Sequence, residues 1–144
     1  MGLLRIARTP LVTVHPDTTV MDAVRTMSQE SIGAVAVTEG DVLVGMFSER
    51  DLMLRVVVEK RDPERTRVGE VMTSPVQTIE RDSTTDDALK AMLEKHIRHL
   101  PIVDNDGKLA GMISMRSVLH DKVEDLTGQL DSLEAYFSAD GFGG

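Results

Sequence analysis

The sequence predicts a mixed α/β (α+β) fold, in which two βαββα repeats pack sheet to sheet with pseudo-two-fold symmetry and a helix follows at the C-terminus. Three observations predict it: an internal repeat, a shared order of apolar patterns in the two copies, and a helical apolar seam near the end of the chain. The 144 residues include no Cys, but a chain of this length buries roughly two-thirds of its unfolded surface without disulfide bonds.

The repeat is the most informative feature. Residues 10–41 align with 75–106, and residues 42–53 align with 108–119 after one inserted residue, Gly107, which gives 14 identities in 44 pairs. Duplication of one supersecondary unit explains such self-similarity.

The repeat also sets the expected domain boundaries. The first repeat is predicted over residues 8–66, the second over 68–125, and a C-terminal helix and tail over 126–144. The charged segment Glu59–Glu70 connects the repeats, and Pro63 within it makes a continuous helix there unfavourable. A single βαββα unit leaves two apolar faces to cover, so the two copies are expected to share one core.

Each copy carries the same predicted elements. Thr19 and Thr84 can cap the amides at the start of a helix, and apolar residues at helical spacing follow each of them. Two runs of β-branched residues around a Gly, Asn or Asp turn then predict a hairpin. A second helix is expected to begin near Ser48 in the first copy and near Ser114 in the second.

Composition excludes several function classes. The net charge is −8, and phosphate backbones attract basic faces, so no nucleic-acid partner is expected. No apolar stretch approaches the ~20 residues that span a bilayer, which predicts a cytoplasmic protein without a membrane partner. His96 and His99 lack the acidic residue of a metalloprotease pattern, so no metal is expected. Since no phosphate-loop or nucleophile-elbow motif is present, the chain is not expected to be an enzyme.

Three motifs occur in the order typical of one family. They are Val68-Gly69-Glu70-Val71-Met72-Thr73 followed by Pro75, then His96-Ile97-Arg98-His99-Leu100-Pro101-Ile102-Val103-Asp104, then Gly111-Met112-Ile113-Ser114. In the first repeat, Gly45-Met46-Phe47-Ser48-Glu49-Arg50-Asp51 matches the terminal motif of that family. The chain therefore resembles the cystathionine-β-synthase (CBS) domain, and both copies carry the similarity.

The resemblance implies a tandem CBS pair, or Bateman module, that stands alone. Such pairs bind adenosine-containing ligands and regulate other proteins. The expected ligand is AMP, ADP or ATP, ahead of NAD and S-adenosylmethionine, and no further cofactor is expected. The expected protein partners are a second copy in a homodimer and a regulated protein that the sequence does not identify.

The resemblance also implies one nucleotide site in a cleft that both repeats form. Asp51 would bind the ribose hydroxyls, and Ser48 would bind nearby ribose or phosphate oxygens. The phosphates would meet the cations of the second repeat, and Gln77 falls where the backbone of the family contacts the base. The expected site consists of Met46, Ser48, Glu49, Arg50, Asp51, Gln77, Arg98, His99 and Arg116.

A structural interpretation stays open for each half of this site. Ser48 could be no more than a helix cap, with Asp51 as an acid in the first turn. Arg98 and His99 could be the solvated end of a helix, where cations favour the dipole. With the ordinary His pKa of about 6.5, His99 would bind phosphate better as the pH falls.

The pseudo-symmetric second cleft is predicted to be degenerate. It would contain Ser114, Ser117 and Arg50, and Ser117 stands where the counterpart of Asp51 is expected. This departure favours an alternative function, a structural or oligomerisation scaffold with a vestigial nucleotide cleft.

The C-terminal region carries a separate signal. Apolar residues recur there with alternating spacings of four and three, which is the mark of a helix with a narrow apolar seam. Two interpretations are open: a dimer contact, or a helix that folds back on its own domain. The seam consists of Leu119, Val123, Leu126, Leu130, Leu133 and Phe137.

Overall fold

The computed structural model describes residues 2–8 and 11–139, with the backbone alone for residues 136–139. Three parts of the predictions lie outside the described residues: the repeat position Pro10, the side chain of Phe137, and residues 140–144 of the tail.

The six strands within the described residues form two three-stranded sheets of the same topology. In the first sheet, β1 (Thr13–Val14) is parallel to β2 (Ala34–Glu39), which pairs antiparallel with β3 (Val42–Ser48). The second sheet repeats this order with the following strands, which confirms the predicted mixed α/β repeat. They are β4 (Ile79–Glu80), β5 (His99–Val103) and β6 (Leu109–Ser114).

The two long helices that open the repeats begin at the predicted caps. The hydroxyl of Thr19 accepts a hydrogen bond from the Asp22 amide at the start of α1 (Val20–Glu30), and Thr84 does the same for the Asp87 amide at the start of α4 (Thr85–Lys95). Each capping hydroxyl satisfies one amide that the helix itself cannot pair.

The second helices of the two repeats differ. In the first repeat, a single α-helical turn, α2 (Glu49–Asp51), continues as a π-helix over Leu52–Val57. In the second repeat, α5 (Met115–Ala139) is one helix of 25 residues. A short helix, α3 (Val68–Val71), lies at the end of the predicted connecting segment.

Apolar residues collect in three clusters. One lies in each repeat, between its helices and its sheet. The third, formed by Ala34, Ala36, Met46 and Met112, lies between the sheets, as the predicted sheet-to-sheet packing requires. Backbone hydrogen bonds of 3.0 and 2.8 Å between Met46 and Thr73 add to this contact.

The segments that precede the two repeats are exchanged between their cores. The 3-10 helix Gly2–Ile6 inserts the fully buried Leu3 into the core of the second repeat. Conversely, Val68 and Val71 of α3 belong to the core of the first repeat. The N-terminal segment thus crosses to the second repeat, where the Arg8 amide donates to the Met112 carbonyl at 2.9 Å.

Helix α5 leaves the domain with its seam uncovered. The five described seam side chains are between 44% and 60% exposed, so the interpretation that this seam folds back on its own domain is wrong. The first turns of the helix contact the domain, where Val118 is buried. Over the described residues, none of the helices has the length and apolar character that crossing a membrane requires.

Candidate functional site

The first candidate cleft is built on the turn between β3 and α2. Asp51 is only 7% exposed. Its Oδ2 accepts hydrogen bonds from the Ser48 amide at 3.0 Å and from the Ser48 hydroxyl at 3.1 Å, and its own amide donates to that hydroxyl at 3.2 Å. This capping box fixes the orientation of the carboxylate.

The second repeat holds the other oxygen of the same carboxylate. The Thr73 hydroxyl donates to Oδ1 of Asp51 at 3.0 Å. Arg55 supports this contact, because its Nη1 donates to the Met72 carbonyl at 2.8 Å and its Nε lies 3.8 Å from Oδ1. Ser48 and Asp51 therefore do act as a helix cap, and the same bonds join them to the second repeat.

In each repeat, a backbone hydrogen bond joins the start of the second helix to the residue that precedes the middle strand of the sheet. The Glu49 amide donates to the Gly33 carbonyl at 3.0 Å, and the Met115 amide donates to the Arg98 carbonyl at 2.7 Å. This second bond sets Arg98 and His99 beside the first turn of α5. Arg98 is exposed and forms no ion pair with any residue of the described ranges.

His99 is half-buried, and its environment changes the expected titration. Burial lowers the pKa of its imidazole below the ordinary value, the nearby Glu49 carboxylate opposes this shift, and the Arg98 charge adds to it. The ring is therefore more strongly biased to its neutral form at neutral pH than a free histidine. The imidazole therefore becomes protonated, and would strengthen phosphate binding, at a lower pH than the sequence predicts.

The remaining predicted residues are divided between the clefts. Met46 is buried between the sheets, whereas Gln77 is exposed ahead of β4. Glu49 and Arg50 are exposed in the single turn of α2. His99 and Arg116, which the sequence groups with Asp51, line one cavity of about 330 Å³ together with Ser114 and Ser117 of the predicted degenerate cleft.

Sequence reasoning missed two polar residues at the clefts. Thr73 holds the Asp51 carboxylate, and Arg8 lines the cavity of the second cleft. A signal for both was present: each stands two residues before a proline of the repeat, Pro75 and Pro10 respectively. The repeat alignment thus makes Arg8 and Thr73 counterparts.

Comparison with known proteins identifies the class. The CBS domain family matches residues 4–58 and 68–124, so this chain belongs to the CBS domain family and carries two copies of the domain. This confirms the resemblance that the motifs indicated.

Among known proteins, the chain is 37% identical over 115 residues to an uncharacterised protein of Methanopyrus kandleri, an alignment that covers 79% of this chain and 59% of that protein. The chain spans about three-fifths of the length of the first curated relatives that it matches, 59% and 60%.

Two solved structures share the arrangement of the domain pair. A CBS-domain protein of Burkholderia ambifaria is 34% identical, with a TM-score of 0.79 over 87% of this chain and 96% of that one. The protein CBSX2, solved in complex with AMP, is 29% identical, with a TM-score of 0.71 over 82% of this chain and 91% of that one. Like these two, the chain is a CBS pair.

Proposed function

We propose that this CBS pair is a non-catalytic sensor that binds an adenosine-containing nucleotide, AMP, ADP or ATP, in its first cleft. The observation that carries the proposal is the Asp51 carboxylate, which is held by Ser48 of its own repeat and by Thr73 of the other. A carboxylate with fixed oxygens is a suitable acceptor for the two adjacent hydroxyls of a ribose. The AMP complex of the similar protein CBSX2 supports the choice of ligand.

The second repeat would supply the cations for the phosphates. Arg98 is exposed at the start of β5, and a guanidinium can pair with a phosphate through two parallel hydrogen bonds. A nucleotide that is bound by both repeats stabilises the relative packing of the repeats in which Asp51 and Arg98 both contact it. It shifts the equilibrium only to the extent that it prefers that packing. A regulated protein partner would recognise the surface that this packing presents.

Thermal melting with AMP, ADP, ATP, NAD and S-adenosylmethionine tests the proposal. At a concentration about 100 times its dissociation constant, a ligand that binds only the folded state adds about 2.7 kcal/mol to the free energy of unfolding. We expect this gain with an adenine nucleotide and its loss in Asp51→Asn, which keeps the side-chain volume but removes the charge.

The matched control is Asp131→Asn, which removes an equivalent charge from an exposed position of α5. It should retain the full gain. Absence of stabilisation by all five compounds would contradict the nucleotide proposal. ATP incubated with the protein is expected to stay intact, as the non-catalytic role requires.

The exposed seam of α5 favours a second candidate function, an oligomerisation scaffold with a vestigial cleft. A homodimer is compatible with both functions, so the dimer alone does not discriminate between them. Native mass spectrometry with and without nucleotide does: a scaffold assembles in the same way in both conditions and retains no nucleotide. A cytoplasmic location is proposed for either function, and cell fractionation checks it.

A further inference from the structure

The second helix of the first repeat contains a π-helix, whereas its counterpart in the second repeat does not. The π-helix covers Leu52–Val57, and its bonds span five residues, as when the Val58 amide donates to the Met53 carbonyl at 3.0 Å. Helix α5 begins with the same kind of serine cap yet is α-helical over its described length. Because π-helices are rare and occur frequently at functional sites, this difference between two equivalent elements needs a local cause.

Arg55 makes three contacts from within the π-helix. Its Nη1 donates to the Val71 carbonyl at 3.3 Å and to the Met72 carbonyl at 2.8 Å, and its Nε lies 3.8 Å from Oδ1 of Asp51. One side chain thus contacts both the proposed ribose acceptor and the backbone that leads to Thr73. Rewinding this helix to the α form would turn the Arg55 side chain about the helix axis, because an α-helix has fewer residues per turn. The three contacts therefore favour the π form.

The same position in the second repeat has the opposite charge and a different partner. When the repeat alignment is continued, Asp121 is the counterpart of Arg55. Both carboxylate oxygens of Asp121 accept hydrogen bonds from the guanidinium of Arg5, at 2.5 and 2.8 Å. Arg5 lies in the 3-10 helix Gly2–Ile6, which precedes the first repeat as α3 precedes the second. In each repeat, therefore, this position ties the second helix to the segment that leads into the other repeat.

The two ties differ in what they fix. Arg55 holds the carbonyl of Met72, the residue directly before Thr73. Asp121 holds a side chain that lies three residues before Arg8, the counterpart of Thr73. A tie to the adjacent backbone restricts where the Thr73 hydroxyl points, whereas a tie to a more distant side chain does not restrict Arg8 in this way. The restriction matters at the first cleft, because the Thr73 hydroxyl donates to the proposed ribose acceptor.

We infer that Arg55 is a positioning residue of the first cleft, which keeps the second helix in the π form and, through the Met72 carbonyl, keeps the Thr73 hydroxyl on Asp51. Arg55 acts on binding without contacting the nucleotide, because an acceptor that is already fixed does not have to be ordered by the ligand. The effect on binding rests on the proposed function. The effect on the backbone can be measured without any ligand.

Hydrogen exchange of the ligand-free protein tests the effect on the backbone. In Arg55→Met, which keeps a long side chain but cannot donate, we expect the amides of Thr73 and Val58 to exchange at least about tenfold faster. The bonds of these amides, to the Met46 and Met53 carbonyls respectively, would both lose the support of the guanidinium. Unchanged exchange in Arg55→Met would overturn the inference.

The matched control for hydrogen exchange is Arg65→Met, because the Arg65 side chain is 89% exposed in the connecting segment. It should leave both exchange rates unchanged. Circular dichroism verifies the folding of each variant. If Arg55→Met does not fold, Arg55→Lys replaces it: a single ammonium lacks the planar fork of the guanidinium, so the same amides should exchange faster.

A double-mutant cycle for AMP binding, measured by isothermal titration calorimetry, tests the effect on the site. We expect Arg55→Met and Thr73→Val each to weaken AMP binding by about tenfold. The double variant should bind AMP no more weakly than Thr73→Val, because Arg55 acts through the threonine. Losses that multiply to about a hundredfold would show that Arg55 contacts the nucleotide itself, and they would overturn the inference.

The contrasting variant for AMP binding is Asp121→Asn, which weakens the corresponding tie of the second repeat. It should retain the wild-type affinity for AMP, because that tie does not reach Thr73. An equal loss of affinity in Asp121→Asn and Arg55→Met would contradict the inference. If the wild type does not bind AMP, the proposed function fails for this ligand, while hydrogen exchange still decides the role of Arg55.

Discussion

At the scale of single residues, the two clefts differ through a few exchanges on a common backbone frame. Asp51 and Ser117 occupy equivalent positions after equivalent serines, and each of those serines accepts a hydrogen bond from the amide three residues later. The serine cap is therefore the same in both repeats, although the helices that follow differ. The side chain at this position alone decides whether the cleft presents an anion. The loss of the carboxylate at Ser117 could therefore be predicted from the sequence.

His99 leads to a prediction about pH. Because burial lowers its pKa in the folded protein, the unfolded chain takes up a proton at a higher pH, near the ordinary value of about 6.5. The free energy of unfolding should then fall as the pH drops below about 6.5, because the unfolded state binds more protons than the folded one. In His99→Gln, the fall in the free energy of unfolding that His99 causes should be absent. Thermal melts of the ligand-free protein between pH 7.5 and 5.5 would measure this difference.

The control for this experiment is His120→Gln, since the His120 side chain is 73% exposed. It should retain the wild-type decline. An identical decline in His99→Gln and the wild type would show that burial of His99 does not contribute to the pH dependence.

At the scale of elements, a close approach of backbone segments positions Thr73. A Cβ atom on Gly45 of β3 would overlap the Met72 sulfur and lie 3.0 Å from the Thr73 carbonyl oxygen. The Met72 side chain can turn aside, but the Thr73 carbonyl belongs to the backbone and would have to shift. Gly45 therefore lets the segment after α3 pair with Met46 and aim the Thr73 hydroxyl at Asp51.

We predict that Gly45→Ala lowers the free energy of unfolding by about 1–3 kcal/mol, as overpacking does, and also weakens nucleotide binding because Thr73 is displaced. Urea denaturation measures the first effect. Gly128→Ala is the contrasting variant: apart from the adjacent backbone of its own helix, no heavy atom of the described residues lies within 4 Å of its added Cβ, so it should stabilise α5 by about 0.5–1 kcal/mol. Equal stability of Gly45→Ala and the wild type would contradict this account of the close approach.

Prediction from the sequence succeeded where the signal was local and periodic. The repeat, the threonine caps and the hairpins depend on residues close in sequence, and the structure confirms them. The exchange of Leu3 and Val68 between cores was not predicted, because burial of one apolar side chain does not reveal which repeat covers it. Arg8 was missed for the same reason: its role depends on a contact between the N-terminal segment and the second cleft.

At the scale of the whole molecule, the exposed seam of α5 is suited to a second copy of the chain. In heptad terms, Val123 and Leu130 occupy a positions, and Leu126 and Leu133 occupy d positions. A β-branched residue at a with Leu at d favours two parallel strands, and Val123 with Leu126 follows this pattern.

Four of the five acidic residues of α5 lie on the outer positions, away from the seam. These outer residues are Asp121, Glu124, Asp125 and Asp131. The fifth, Glu134, lies at an e position beside the seam, where a parallel partner presents the uncharged Gln129.

We predict that Leu130→Glu weakens the homodimer by at least about a hundredfold, because it places an unpaired charge in the centre of the seam. Leu130 is 57% exposed in the single chain, so the folded monomer should persist. Sedimentation equilibrium measures the change. Ser132→Glu adds the same charge at an exposed outer position and should remain dimeric. A dimer of undiminished affinity in Leu130→Glu would place the contact on another face.

The reciprocal packing of Leu3 and Val68 limits how the protein can move. Since each core includes a side chain from the segment that leads into the other half, the halves cannot part unless Leu3 and Val68 leave those cores. We therefore expect a signal to a partner protein to be a small change of angle between the halves, with both side chains still in place.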